Sequence, residues 1–217
     1  MASGKVASWA HGEEFVDEST LYADEAVLAR ARERGSELGA APVLAGAGAM
    51  MRLLAAAVQA RSAVEIGTGA GVGSLYLLSG MHPDGVLTTI DPEVENQRAA
   101  REALTEAGVR SARVRTIAGS PRDVIGRLTD HAYDLVAFPA HAPHALELLA
   151  HARRLLRPGG ILVITHALHH DRVPDPAERD AVTQAVRALL KSVQESDDLI
   201  PALTGSGDGL LAAVLRP

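Results

Sequence analysis

The stretch Val64-Glu65-Ile66-Gly67-Thr68-Gly69-Ala70-Gly71 decides the fold of this chain. A short apolar run leads into three alternating glycines, which allow the backbone to turn sharply and to approach a ligand closely. A second apolar run, 86–91, ends in Asp91, and an acid at this place is the usual acceptor for ribose hydroxyls. The pattern predicts a strand, loop and helix that bind a nucleotide-type cofactor.

The glycine spacing and Glu65 together indicate which cofactor binds. A dinucleotide fingerprint reads GxGxxG and binds a pyrophosphate, whereas this run reads Gly67-x-Gly69-x-Gly71 behind a carboxylate. A negative charge beside the loop disfavours a pyrophosphate but suits a cofactor that carries an ammonium and a sulfonium group. We therefore expect S-adenosylmethionine. A nicotinamide-dependent oxidoreductase, or a tight turn that binds no ligand, is the disfavoured alternative.

Length and composition predict one domain, 1–217, with a helical extension over 1–60 and a cofactor-binding core over 61–217. A net charge of −6 and only 3% aromatic residues argue against a nucleic-acid-binding face. The absence of cysteine excludes disulfides and thiolate metal ligands. The acidic N-terminal region and the lack of an apolar stretch of roughly 20 residues predict no signal peptide and no membrane span. We expect a cytoplasmic protein.

The alternation of helical patterns with short apolar runs predicts an α/β fold, with a mostly parallel sheet and helices on both faces. We expect seven strands, at 63–67, 86–91, 113–118, 134–140, 161–166, 199–204 and 209–215. Helices are expected at 13–36, 49–60, 72–80, 93–107, 121–128 and 143–156. Pro158-Gly159-Gly160 should end the last of these helices and lead into the fifth strand. Residues 205–209 should join the last two strands as an antiparallel hairpin.

The charged segment 13–36 carries a narrow apolar stripe formed by Leu21, Leu28 and Ala31. Such a stripe needs a partner surface. Packing on its own domain, an active-site cover and a homodimer contact are the alternatives that the sequence leaves open.

Several motifs along the chain together resemble those of one protein family: Val64 to Gly71, Gly85 to Glu93, Gly119, Tyr133 to Val136, Leu155 to Gly160 and Gly207 to Leu211. From about residue 13 to the end, the chain resembles the cation-dependent, catechol-type O-methyltransferase family, and in particular its actinobacterial branch. The resemblance implies the Rossmann-like, seven-stranded class I methyltransferase fold and S-adenosylmethionine as methyl donor. It also implies a small-molecule methyl acceptor and a homodimer.

The resemblance implies a set of cofactor-binding residues at one edge of the sheet: Val43, Glu65, Gly67, Thr68, Gly69, Gly71, Gly73, Ser74, Asp91, Pro92, Gly119, Ser120 and Pro139. The glycine loop matches the part that surrounds the methionine moiety, and Ser74 is expected at its carboxylate. In many relatives that serine stands one position earlier, at Gly73 here. Asp91 matches the ribose-binding acid and Pro92 lies against the adenine. Ser120 replaces an aspartate that many members carry at the adenine edge.

The metal site of the family does not carry over to this chain. Metal-dependent members hold Mg²⁺ with an aspartate after the fourth strand and an Asp-Asn pair after the fifth, where this chain has Pro139, Thr165 and His166. These side chains are poorly matched to a hard ion that prefers oxygen ligands. The lysine base of the family falls on Ala142. We predict a methyltransferase that has no Mg²⁺; the alternative is a cofactor-binding sensor or partner subunit without methyl transfer.

Histidines cluster where the metal ligands are missing. His141 and His166 end neighbouring predicted strands, and His144, His169 and His170 follow within a few residues. Imidazole titrates near neutral pH, so His141 and His166 are the predicted catalytic general bases. A transition-metal site, or solvated loop histidines without a role, remain alternatives. The loop 169–176 matches the segment that covers the substrate in the family, and Arg172 could meet an acidic group there.

Overall fold

Seven strands form one mixed sheet in the computed structural model, which describes Glu13, Phe15, Val16, Glu18, Leu21, Tyr22, Asp24 and residues 26–217. The strands are β1 (Ser62–Ile66), β2 (Val86–Asp91), β3 (Val114–Ala118), β4 (Tyr133–Pro139), β5 (Leu156–Thr165), β6 (Leu199–Thr204) and β7 (Leu210–Leu215). Their order is β3-β2-β1-β4-β5-β7-β6. The first five are parallel, and β7 is antiparallel to β5 and β6. The predicted sheet with its C-terminal antiparallel hairpin is confirmed.

Helices cover both faces of the sheet, as predicted. In the described residues they are α1 (Val27–Glu37), α2 (Ala45–Ala57), α3 (Val72–Gly80), α4 (Val94–Glu106), α5 (Pro121–Ile125), α6 (Ala145–Leu155) and α7 (Ala181–Gln194). Alternate residues of a strand enter two separate apolar clusters. In β4, Leu135 and Ala137 pack with α1 to α4, whereas Val136 and Phe138 pack with α5 to α7. None of these helices is both long and apolar enough to cross a membrane.

The predicted helix over 13–36 is wrong in its first half. The helix begins at Val27, and the described residues between Phe15 and Ala26 lie in turns, bends and irregular backbone. Contacts with the core hold this stretch in place, because the Tyr22 hydroxyl donates to the Leu75 carbonyl. In the second half, Leu28 and Ala31 are buried within the chain itself. The apolar stripe therefore packs largely on its own fold.

Pro158-Gly159-Gly160 lies inside β5 and not ahead of it as predicted. Helix α6 ends at Leu155, and Leu156 already pairs with Tyr133. The register then shifts, so that the next residues of β5 leave the ladder until Ile161 pairs opposite Leu135. The proline and glycines thus form an irregularity within the strand, where a missing ladder hydrogen bond is tolerated.

Helix α7 is absent from the prediction, although the sequence carries signals for it. The Asp180 carboxylate caps the helix by accepting from the Thr183 N–H at 2.9 Å. Val186, Leu189 and Val193 are buried at helical spacing. The helix returns the chain from β5 to the edge strand β6.

Candidate active site

A cavity of about 210 Å³ opens at the carboxyl ends of β1, β2, β4 and β5. Strand order reverses between β1 and β4, and open α/β sheets bind ligands at such a crossover point. The predicted site residues that line the cavity are Val43, Glu65, Gly67, Gly69, Asp91, Pro139, His141 and His166. The structure thus brings residues from the predicted cofactor set and both predicted bases to one cavity.

The glycine loop connects β1 to α3 through three residues with positive φ. Gly67 has φ +83°, and a Cβ there would lie 3.4 Å from the Pro139 ring, at the cavity wall. Gly71 has φ +90° and lies outside the cavity lining, where a Cβ would lie 3.1 Å from the Ala100 backbone. Gly67 therefore shapes the cavity, whereas Gly71 permits α3 to pack closely on α4.

Asp91 holds the glycine loop at the end of β2. Its Oδ2 accepts from the Gly69 N–H at 2.9 Å, and its Oδ1 accepts from the Glu93 N–H at 2.9 Å. The Asn96 amide donates to Oδ1 at 3.2 Å and also lines the cavity. Asn96 was not predicted from the sequence. Its position in the first turn of the helix that follows Asp91 was the signal that could have identified it. This carboxylate could accept further donors from a ligand in the cavity.

Glu65 lies beneath the loop and is almost completely buried. The Ser74 hydroxyl donates to its Oε2, and the Thr89 hydroxyl donates to the same atom at 2.7 Å. Burial raises the pKa of Glu65 to about 7, against the effect of these hydrogen bonds and with a smaller contribution from the charge of Asp91. A buried carboxylate is poorly solvated, so ionisation of Glu65 is less favourable than it is in water. Its ionised form becomes favourable beside a cation.

Other members of the predicted cofactor set lie outside the cavity lining: Thr68, Gly71, Gly73, Ser74, Pro92, Gly119 and Ser120. The Thr68 hydroxyl is turned into the fold, where it meets the Thr89 hydroxyl at 2.7 Å. A Cβ at Gly73 would lie 2.3 Å from Glu65 Oε1, so a serine at this position would require the Glu65 carboxylate to shift. Pro92 and Ser120 are exposed beside the cavity.

Several lining residues were not predicted as site residues: Gly39, Ala40, Ala41, Met51, Ile66, Asn96, Ala137, Phe138 and Thr165. Thr165 was expected at this edge of the sheet and is buried there. The segment 39–41 between α1 and α2 carries small side chains and no recognisable motif. Only packing of these helices against the sheet brings the segment over the cavity.

The histidines occupy the other side of the cavity. His166, directly after β5, is 6% exposed, whereas His141, after β4, is exposed at the rim. Their ring centroids are 5.4 Å apart in an edge-to-face arrangement, and the His169 ring lies 6.5 Å from His141. Partial removal from water, reinforced by the neighbouring imidazoles, lowers the pKa of His141. This shift favours the neutral imidazole of His141, which is the form able to accept a proton.

Asp208 contacts His166 from the turn before β7. The distance from His166 Nδ1 to Asp208 Oδ2 is 3.2 Å, and both side chains are nearly buried. Asp208 Oδ1 accepts from the His170 N–H at 2.6 Å. Burial alone would raise the pKa of Asp208, but these hydrogen bonds hold it below its ordinary value. The sequence placed Asp208 in a family motif but offered no sign that it meets His166.

The residues at the expected metal positions do not fit Mg²⁺. Pro139 has no donor atom, Thr165 offers one hydroxyl, and the His166 imidazole is engaged by Asp208. Over residues 26–217 and the few described before them, no group of three His, Cys, Asp or Glu side chains is arranged to hold a metal ion. His144 lies away from the cavity lining, where its ring approaches Glu147 at 3.7 Å.

A family model described as O-methyltransferase matches residues 18–215. The chain belongs to this O-methyltransferase family. "Probable O-methyltransferase Rv1220c" of Mycobacterium tuberculosis is 45% identical over 206 residues, which cover 95% of this chain and 89% of that protein. The membership confirms the predicted class, an S-adenosylmethionine-dependent O-methyltransferase.

Solved structures share the fold of this O-methyltransferase. TomG from Streptomyces achromogenes, an O-methyltransferase involved in tomaymycin synthesis and crystallised with S-adenosylmethionine, has a TM-score of 0.82 and 28% identity. The match covers 97% of this chain and 98% of TomG. An O-methyltransferase from Bacillus cereus, crystallised with S-adenosylhomocysteine, has a TM-score of 0.81 and 19% identity over 97% of this chain and 100% of that one. The predicted Rossmann-like methyltransferase fold is confirmed.

Proposed function

We propose that this O-methyltransferase transfers the methyl group of S-adenosylmethionine to a hydroxyl of a small molecule without the help of Mg²⁺. One observation carries the proposal. A single cavity is lined by Glu65 and Asp91 on one side and by His141 and His166 on the other. The donor side keeps the chemistry of a cofactor site, while the acceptor side offers one imidazole, His166, at a position where the family resemblance implies a metal ligand, and a second, His141, beside it.

The donor side of the cavity fits the charges and hydroxyls of S-adenosylmethionine. Asp91 is an acceptor for ribose hydroxyls, and the φ of Gly67 leaves backbone at the cavity wall. Glu65 can ionise when the ammonium and sulfonium groups of the cofactor come close, because a cation offsets its desolvation. Cofactor binding is therefore proposed to release a proton from Glu65 near neutral pH.

The acceptor side has one chemical task, the removal of a proton. S-adenosylmethionine supplies a methyl group bound to a positively charged sulfur. As the acceptor oxygen bonds to the methyl carbon, the carbon–sulfur bond breaks, the sulfur keeps the electron pair and the hydroxyl proton passes to an imidazole nitrogen. Holding the oxygen in line with that bond can supply about 7–11 kcal/mol of the barrier reduction. Proton acceptance by His166 or His141 contributes typically about 10²–10⁴-fold.

The proposal is tested by following transfer of an isotope-labelled methyl group to catechols, simple phenols and hydroxycinnamates in the presence of excess EDTA. We expect turnover that EDTA leaves intact and that added Mg²⁺ does not raise. Turnover abolished by EDTA and restored by Mg²⁺ alone would contradict the metal-free mechanism. Tight binding of S-adenosylhomocysteine without a methylated product from any acceptor would favour a sensor or partner subunit.

We also propose a homodimer, which the family resemblance implies. Apolar side chains of the N-terminal layer are exposed at Phe15 (89%), Leu44 (43%) and Leu53 (59%), and a second copy would cover them. Light scattering after size exclusion should give twice the chain mass, and a monomer at all concentrations would contradict the proposal. The cytoplasmic location stays a prediction.

A further inference from the structure

The contact between His166 and Asp208 joins two segments that follow different strands. The two residues are 42 positions apart in sequence, yet their side chains are 7% and 8% exposed and meet through Nδ1 and Oδ2. His166 lines the cavity, whereas Asp208 lies behind it. Asp208 is therefore in position to act on His166 and not directly on a ligand.

The turn that carries Asp208 is held firmly in place. The Leu168 N–H donates to the Asp208 carbonyl at 2.9 Å, and the Ala167 N–H donates to the Gly209 carbonyl at 2.9 Å. At Gly207, with φ +58°, a Cβ would lie 2.4 Å from that of Ala47. These contacts extend the pairing of β5 with β7 and hold the turn beside His166.

The two oxygens of Asp208 determine which nitrogen of His166 carries a proton. An ionised carboxylate only accepts hydrogen bonds, and Oδ1 is occupied by the His170 N–H at 2.6 Å. A hydrogen bond to Oδ2 therefore requires a proton on His166 Nδ1, so that a neutral imidazole has a lone pair on Nε2. In the part of the chain that the structure describes, no hydrogen-bond partner is recorded for Nε2.

We propose that Asp208 is a positioning residue that keeps His166 in the Nδ1–H tautomer, so that Nε2 is free to take the proton of the methyl acceptor. The proposal rests on the proposed function of His166 as a base. The other titratable groups around His166 are His141, whose ring is 5.4 Å away, and His170, which also approaches Asp208. His169 lies beyond His141. Among these groups Asp208 is the carboxylate that contacts the His166 ring.

Asp208→Asn is a sharp test because an amide has only one acceptor oxygen. That oxygen is expected to face the His170 N–H, since the amide NH₂ would be repelled by this donor. The NH₂ group then faces His166 Nδ1 and donates to it, which moves the imidazole proton to Nε2. The variant keeps the shape of the side chain but gives His166 the wrong tautomer for accepting a proton.

The experiment uses the full chain labelled with ¹⁵N-histidine, and long-range ¹H–¹⁵N spectra identify the tautomer of each neutral ring. His166→Asn assigns the signal by its disappearance. We expect the Nδ1–H tautomer for His166 in the unmodified protein and the Nε2–H tautomer in Asp208→Asn. The Nε2–H tautomer in the unmodified protein would overturn the proposal, and this result does not depend on whether Asp208→Asn folds, because His166→Asn is needed only to assign the signal.

Methyl-transfer activity provides the second test. The substrate is whichever of the catechols, simple phenols and hydroxycinnamates the unmodified protein methylates fastest. Asp208→Asn should lower kcat by about 100-fold or more while affinity for S-adenosylhomocysteine stays within about twofold. Asp84→Asn, at the exposed amino end of β2, removes the same charge and should leave kcat unchanged. Full kcat in Asp208→Asn would overturn the proposal. Absence of methyl transfer in the unmodified protein would overturn the proposed function instead, because the tautomer is measured without it.

Discussion

The two sides of the cavity differ in how the chain builds them. The donor side comes largely from one contiguous unit, in which Asp91 binds the Gly69 N–H only 22 residues away. The acceptor side is assembled from three separate loops that carry His141, His166 and Asp208. The contiguous unit carries the glycine loop and the acid that resemble the family's cofactor site, whereas the assembled side carries Pro139, Thr165 and His166 at the positions where the resemblance implies metal ligands. A site divided between loops can change one residue at a time without disturbing the cofactor loop.

The largest expected effect is a loss of turnover from a change on the acceptor side that leaves binding on the donor side intact. His166→Asn should lower kcat by about 10²–10⁴-fold because the proton acceptor is lost, with S-adenosylhomocysteine affinity nearly unchanged. Asparagine tolerates the left-handed backbone of His166, whose φ is +54°. His144→Asn is the matched control, since His144 has φ +60° and lies away from the cavity lining. Steady-state kinetics and calorimetry measure both quantities, and an unchanged kcat would remove His166 from the chemistry.

A second prediction concerns the stability of the donor side. The pKa of Glu65 is raised from 4.5 to about 7, so the protonated form stabilises the fold fully below about pH 4.5. This contribution is lost as the pH rises through about 7, and it amounts to about 3 kcal/mol. As the pH rises from about 4.5 to about 7, the free energy of unfolding of Glu65→Gln should therefore fall much less than that of the unmodified protein.

Urea unfolding of both proteins between pH 4.5 and 8, without cofactor, measures the effect on the free energy of unfolding. Exposed Glu33→Gln is the control and should follow the unmodified protein at each pH. Parallel pH profiles for the unmodified protein and Glu65→Gln would show that burial does not raise this pKa.

The third prediction tests the donor side by its ligand. Asp91→Asn should weaken S-adenosylhomocysteine binding by about 10- to 150-fold, because a hydrogen bond to a charged group contributes about 1.5–3 kcal/mol. The tautomer of His166 should not change, since Asp91 belongs to the other side of the cavity. Affinity equal to that of Asp84→Asn, measured by calorimetry, would refute the role of Asp91.

The smallest effect is expected at Ser120. Its side chain is exposed and lies outside the cavity lining, so it can offer at most one neutral hydrogen bond to the adenine edge. Ser120→Ala should therefore weaken S-adenosylhomocysteine binding by no more than about fivefold, which corresponds to about 1 kcal/mol. A loss as large as that of Asp91→Asn would mean that the cofactor reaches beyond the cavity described.

Most of the fold was predictable because strands and helices in an α/β sheet follow from local patterns. Helix α7 was missed although its cap and apolar spacing are local signals, whereas two other errors occurred where tertiary contacts override the local pattern. Glu18 pairs with Arg32 at 2.6 Å and Tyr22 bonds to Leu75, so the stretch before Val27 does not continue as a helix. Pro158-Gly159-Gly160 reads as a connection, yet pairing of Leu156 with Tyr133 draws it into the strand.

The site was predictable to the extent that its residues belong to one motif. The sequence by itself determined the glycine loop, Asp91 and the edge of the sheet, because strand direction and backbone sterics act over a few residues. It also places Pro139, Thr165 and His166, which are poor ligands for Mg²⁺, at the positions where the family resemblance implies metal ligands. Only the tertiary structure decided the pairing of His166 with Asp208 and the burial that raises the pKa of Glu65. Both depend on burial and on contacts between distant segments, which no local pattern records.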